Sequence, residues 1–375
     1  MKKNPFKPSA GARPPQVVGR ANVLDSFTEG IYDGAGAPGL LTIFTGPRGI
    51  GKTVMLTEAE ETARKLGWKV ISETATEGVL ARIEESIGLL YKEYFPEDAE
   101  RIRINNVRLG PVAVGLDLPA ARQVNLKKMT ASLLEELAKD ETGLILSVDE
   151  IHAIDHKELS ALAALVQHMI RDELPVGMLM AGLPGAVSTL LNEGVSTFLR
   201  RADKINLHDA SVTEVREALE TTFSGTGVKA APEHLDRMAA ATGGYPFLIQ
   251  LVGYHVWRLS RSGETTDESV TNGLETARKK LGSTVLASAF SGLSDIDRTF
   301  LLKMAQDDGP SRVGDVAVRM GESTQYAGVY RRRLIEAGVI EAVRHGEVDF
   351  TVPHLREYLR EHAAMITDVG TAPLL

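Results

Sequence analysis

Gly46-Pro47-Arg48-Gly49-Ile50-Gly51-Lys52-Thr53 follows an apolar run, Leu40-Leu41-Thr42-Ile43-Phe44, and precedes a helical stretch from Val54 to Leu66. Strand, glycine-rich loop, Gly-Lys-Thr and helix in this order make a complete phosphate-binding loop. Glycines at its first and sixth positions let backbone N–H groups turn inward around phosphate oxygens. Lys52 is placed to reach the β- and γ-phosphates, and the Thr53 hydroxyl to ligate Mg²⁺. The helix that follows aims its N-terminal dipole end at the same anion. Residues 46–54 are thus the expected phosphate site, and the strand before them the first of an α/β sheet.

Working outward, the same alternation continues. Gly67 ends the helix and Trp68-Lys69-Val70-Ile71-Ser72 reads as a second strand, followed by a helix over 78–94. Residues 101–118 hold two β-like runs broken by Gly110-Pro111 and predict a hairpin insertion; helix returns over 124–139. Gly143-Leu144-Ile145-Leu146-Ser147-Val148-Asp149-Glu150 is a near-continuous apolar strand of the kind buried on both faces. A helix over 157–172 leads to two more strands, Val176-Gly177-Met178-Leu179-Met180-Ala181 and Lys204-Ile205-Asn206-Leu207. Strands alternating with helices predict a doubly wound, mainly parallel sheet over 15–208.

Beyond it the pattern changes. Residues 211–281 are helical throughout, broken at Gly225, Gly227 and the Gly243-Gly244-Tyr245-Pro246 corner, which predicts a separate helical lid over 209–285. Tyr245, Phe247, Tyr254 and Trp257 are spaced like the buried face of a lid helix. Residues 286–366 read as helix, helix-turn-helix and β-hairpin, the layout of a winged helix, with 367–375 a tail. In its third helix Ala327, Tyr330, Leu334 and Ala337 share the inward face, leaving Gln325, Arg331 and Arg332 outward, with Arg344 and His345 in the wing. These are the candidate duplex-DNA contacts. Against that use, residues 311–365 hold eight arginines, no lysine and eight acidic residues, so counterion release offers little.

The chain has 375 residues, 43% hydrophobic and 25% charged, as in an ordinary globular protein of two or three domains. No apolar run approaches the roughly 20 residues that span a bilayer. A net charge of −8 argues against broad attraction to nucleic acid while leaving room for a local basic face. Cysteine is absent, which removes disulfides and thiolate zinc sites and fits a cytoplasmic location. The basic, proline-rich stretch 1–14 lacks the apolar segment of a secretory signal and reads as a flexible arm.

Asp149-Glu150, ending an apolar strand, complements the loop: Asp149 can hold the Mg²⁺ shell and Glu150 can polarise an attacking water. His152, Asp155 and His156 follow closely, but they offer no third metal ligand in addition to the His-x₃-His pair.

The loop, the acidic pair and Val18-Gly19-Arg20 ahead of the first strand together resemble the AAA+/STAND class of P-loop ATPases. In layout the chain is similar to archaeal origin-recognition initiators and transposition-helper ATPases over 15–365. The resemblance implies a core sheet in the order 5-1-4-3-2, counted along the chain, and ATP/ADP with Mg²⁺ as ligands. It places Val18 and Arg20 near the adenine, Pro246 near the nucleotide as in the GxP element of STAND ATPases, and an arginine finger at Arg201 or Arg200. A finger acting in trans implies a homo-oligomer in the ATP-bound state. Gly182 stands where such ATPases often present a polar residue that senses the γ-phosphate, which implies slow hydrolysis or a substitute group. Two functions are compatible with this pattern. One is a signalling or assembly switch with protein partners; the other is an initiator or transposition helper that engages duplex DNA.

Overall fold

The computed structural model describes residues 3–9, 11–20, 22–98, 120–192, 197–260, 263–286 and 293–363. The expected hairpin at 101–118 and the tail at 367–375 lie outside them. After a short helix α1 (Asp25–Asp33), the apolar runs form strands β1 (Leu41–Thr45), β2 (Lys69–Thr74), β3 (Leu144–Asp149), β4 (Val176–Gly182) and β5 (Asp203–Asn206). They pair in parallel in the order β2-β3-β4-β1-β5, which is 5-1-4-3-2 read from the other edge.

Burial explains why the central strands are continuously apolar. All seven residues of β4 are buried, with Leu179 and Ala181 facing one core and Met178 and Met180 the other. On the first face α2 (Lys52–Lys65) packs across β3 and β4 through Met55, Leu56, Ala59 and Ala63. The second face is covered by α3 (Val79–Tyr94), α4 (Ala120–Lys139) and α5 (His156–Arg171), the last capped by the Asp155 carboxylate accepting from Lys157 N at 2.8 Å. A nine-residue helix α6 (Pro184–Asn192) follows β4 directly.

Four helices come next: α7 (Val212–Gly225), α8 (Pro232–Thr242), α9 (Pro246–Leu259) and α10 (Asp267–Leu281). Ser211 and Glu214 form a capping box at the start of α7, and Pro246 opens α9 where no N–H is needed. Tyr245, Trp257 and Phe223 are fully buried among these helices.

The N-terminal stretch requires a correction. Expected as a flexible arm, it is anchored: Phe6 is 3% exposed and lies against Phe223 at a ring separation of 5.6 Å. Gly253 makes room for it, since a Cβ there would sit 2.3 Å from the Phe6 ring. Asn4 Nδ2 donates to Tyr254 O at 3.0 Å and Lys7 N to Gln250 Oε1 at 3.1 Å, both on α9. Further on, Arg13 pairs with Glu58 at 2.7 Å and with Glu61, both on α2. Residues 3–9 and 11–14 therefore run as a strap from α9 to α2. One buried aromatic outweighs the polar, proline-rich composition that suggested flexibility.

The C-terminal unit contains α11 (Asp295–Met304), β6 (Ser311–Arg312), α12 (Val313–Met320), α13 (Thr324–Glu336), β7 (Ile340–Arg344), β8 (Glu347–Phe350) and α14 (Leu355–Glu361). Its three strands form an antiparallel sheet in the order β6-β8-β7. Ala327 and Leu334 of α13 are fully buried, while Gln325 and Arg332 face solvent. Arg331 does not: it is half-buried with its Nε in the interior, a correction to its outward assignment. Arg333 is tied to the buried Asp297 at 3.0 Å. The unit touches both of its neighbours. A Cβ on Gly185 of α6 would lie 2.6 Å from Glu336 Cα, and Arg278 of α10 reaches Glu361 of α14 at 3.4 Å.

Candidate functional site

The turn between β1 and α2 takes its shape from glycine. Gly49 and Gly51 have φ of 75° and 96°, which side-chain-bearing residues rarely adopt. Gly49 is constrained twice over, because a Cβ there would fall 1.9 Å from the Tyr245 hydroxyl. Lys52 is buried at the base of the loop, its Nζ donating to Gly46 O at 3.0 Å and Pro47 O at 2.9 Å. Burial lowers the Lys52 pKa, opposed by the nearby Glu150 and Asp149 carboxylates and reinforced by Arg48. A cation held this way gains most when a phosphate replaces the two carbonyls.

Across the loop, Thr53 Oγ1 donates to Asp149 Oδ2 at 2.6 Å, and the other oxygen, Asp149 Oδ1, accepts from Glu150 N at 2.8 Å. An exposed hydroxyl and a carboxylate side by side are the hard oxygen donors that suit Mg²⁺ with retained waters. Glu150 itself sits at φ 55°, a left-handed conformation for a residue with a full side chain. Such strain at the end of a strand turns the carboxylate out of the sheet direction and towards the loop.

Thr53 and Glu150 border a cavity of about 550 Å³, while Asp149 stands behind Thr53 outside its lining. Arg48, Gly49, Ile50, Gly51, Lys52, Thr53, Val54 and Glu150 make its phosphate side, and Val18 and Arg20 are also in the wall. Gly46 and Pro47 stand behind it as acceptors for Lys52. Pro246 lines it from α9, together with Phe247, Ile249 and Gln250. Arg20 donates to Gly19 O at 3.1 Å and to His208 O, and burial lowers its pKa.

Two features of the site were not assigned to it in the sequence. The strap supplies Lys7, Pro8, Ser9 and Pro14. Tyr245, read there as core packing, is buried, and it also donates its hydroxyl to Arg48 O at 2.7 Å, tying α9 to the phosphate loop. Burial pushes its phenol pKa up, so it stays a donor. The Gly-Gly-Tyr-Pro corner was the available signal, though nothing local says that its tyrosine reaches residue 48.

Other candidates stay apart. Arg200 donates to Leu191 O at 2.7 Å and Arg201 is exposed; neither lines the cavity. A Cβ on Gly182 would meet Ile151 Cγ1 and Val187 Cγ2 at 3.0 Å, so apolar groups close that position. Among the described residues no cluster of three or more His, Cys, Asp or Glu could hold a metal ion, and no helix is long and apolar enough to cross a membrane.

Residues 16–180 match the family model of the AAA ATPase domain, and residues 283–359 match a domain of unknown function (DUF8462). No curated protein sequence matches the chain. Among solved structures, the ORC2 protein of Aeropyrum pernix, in its ADPNP–ADP complexes, is similar at 16% identity and a TM-score of 0.63, covering 98% of each chain. A Walker-type ATPase of Pyrococcus abyssi is similar at 12% identity and a TM-score of 0.65, covering 93% of this chain and 97% of that one. Cdc6p of Pyrobaculum aerophilum gives 14% identity and a TM-score of 0.51, over 97% and 98%. At these identities the likeness is one of fold. With Arg48–Thr53 and Glu150 lining one cavity and Asp149 bonded to Thr53 beside it, the site agrees with the AAA ATPase domain that residues 16–180 match, and the protein is an ATPase.

Proposed function

We propose that this ATPase is a molecular switch of the AAA+/STAND type, in which ATP and ADP, with Mg²⁺ on Thr53 and Asp149, set the angle between the α/β unit and the helical unit acting as its lid. The observation that carries this reading is the two-sided cavity. One wall is the phosphate loop, the other is α9, and the Tyr245–Arg48 hydrogen bond crosses between them. Any change in the γ-phosphate that moves Arg48 is felt by α9 through that bond. Glu150 is the group to activate water, and Lys52 the group to neutralise charge developing on the transferred phosphoryl.

The C-terminal unit, read as a winged helix, rests on both α6 and α10, so a hinge between the two larger units must move it. Its exposed face favours a protein partner over duplex DNA. Of the α13 arginines, only Arg332 is exposed without an ion pair to the fold, and it shares that surface with Val329, which is 51% exposed, while Val318 on α12 is 79% exposed. Gln325, Arg332 and Arg344 remain the contacts for the second reading, engagement of duplex DNA. Arg201, with Arg200 beside it, is exposed and outside the cavity, which supports a finger acting on a neighbouring copy in an ATP-bound homo-oligomer.

A salt titration of duplex binding, with and without ATP, separates the readings. The switch with protein partners predicts no duplex binding at low salt in either nucleotide state. A nucleotide-gated affinity that falls steeply with salt selects the DNA reading instead.

A further inference from the structure

His152 lies in the short 3₁₀ turn Ile151–Ala153 that follows Glu150. Its Nδ1 is 3.2 Å from Glu150 Oε2, within ion-pair range, yet it is off the hydrogen-bond axis and that buried atom has no other partner. The turn that carries the imidazole is anchored by its apolar residues. Ile151 and Ile154 are buried at 2% and 5%, and Ile151 fills the space where a side chain at Gly182 would stand. Elements α6 and β4, which pack against this turn, bring no polar titratable group to it. Glu150 is the opposite case: its side chain is 45% exposed, and the described structure shows no other side-chain partner for its carboxylate. A flexible carboxylate aligns a water only when something limits its rotamers.

We propose that His152 is the positioning residue for Glu150, fixing the carboxylate at the rim of the nucleotide cavity so that it can orient the attacking water. His152 does not line the cavity and acts through Glu150 alone. A small adjustment of either side chain turns the 3.2 Å approach into a charge-assisted hydrogen bond from Nδ1–H to the carboxylate. With Gly182 bare, this imidazole is the polar group that the turn presents next to the reacting end. The proposal rests on Glu150 as the water-activating residue.

The test is steady-state ATP hydrolysis by the full chain with Mg²⁺, alongside ADP binding by calorimetry. His152→Ala is expected to lower kcat about tenfold or more while the KM for ATP and the affinity for ADP stay near wild type. His152→Asn, whose amide nitrogen falls near the Nδ1 position, is expected to recover most of the turnover, whereas His152→Gln, which places its amide further out, is not. Unchanged kcat in His152→Ala, equal turnover in the Asn and Gln variants, or a KM that rises in step with the loss overturns the assignment. Should the Ala variant fail to bind ADP, the Asn and Gln pair decides. Glu150→Gln separates the two levels. If it retains turnover, the role of Glu150 itself fails; if it is inactive while His152→Ala is normal, only the role of His152 fails.

Discussion

The phosphate wall of the cavity comes from one contiguous stretch, 48–55, joined by Glu150 just past the end of β3. The opposite wall is assembled from three places in the chain: the strap around Lys7–Pro14, the Val17–Arg20 segment, and the start of α9 at Pro246–Gln250. The first wall works by charge and backbone dipoles at short range, each set by neighbours in sequence. The second works by burial, through Phe6 under Gly253 and Tyr245 under Gly49. On the proposed reading, affinity for phosphate and control of closure are divided between different parts of the molecule. The phosphate side can be complete while the closing side is altered, and the reverse.

Removing the cation from the phosphate wall is the most severe way to break that division. Lys52→Ala should reduce ATP affinity by about a hundredfold or more in a calorimetric titration, since a buried charge-assisted contact to phosphate is lost. The strap comes next. Phe6→Ser removes a fully packed ring and should lower stability by about 3 kcal/mol, read as a reduced denaturation midpoint. If the strap closes the cavity as its position implies, nucleotide affinity should fall as well, by about tenfold, with the phosphate loop intact. A variant that loses stability but keeps full affinity would show that the strap is only a brace. The smallest effect belongs to the single hydrogen bond across the cavity. Tyr245→Phe deletes the donor to Arg48 O and should weaken nucleotide binding by about fivefold, or about 1 kcal/mol, while leaving the fold intact. Equal affinity in this variant would mean that packing alone couples α9 to the loop.

The central strands β1, β3 and β4 were legible because they are buried on both faces and so declare themselves as apolar runs; β2 and β5 are more exposed edges, and the strand order agrees with what the family resemblance implied. The phosphate site was legible for a related reason, that Gly46 to Thr53 needs particular residue types at particular spacings to wrap an anion. Phe6 gave no such signal. A single aromatic among prolines and lysines has no periodicity, and its partners, Phe223 and the gap at Gly253, are more than two hundred residues away. Tyr245 could be assigned to a buried helix face but not to its hydroxyl's acceptor 197 residues earlier. Arg331 failed by a smaller margin. Helical spacing put it outward, and the close packing around α13 drew its stem inward.

What the sequence determined by itself is the phosphate end of the site: a glycine-rich loop with its lysine, and a hydroxyl and two carboxylates placed beside it. Those functions depend on local backbone geometry that a few adjacent residues dictate. Only the tertiary structure decided what faces that chemistry. The strap over the cavity, the tyrosine bonded to the loop and the imidazole behind Glu150 arise from burial of side chains whose partners lie elsewhere in the chain. Hydrophobic burial has no direction and no fixed spacing, so its outcome is settled only when the whole chain has packed.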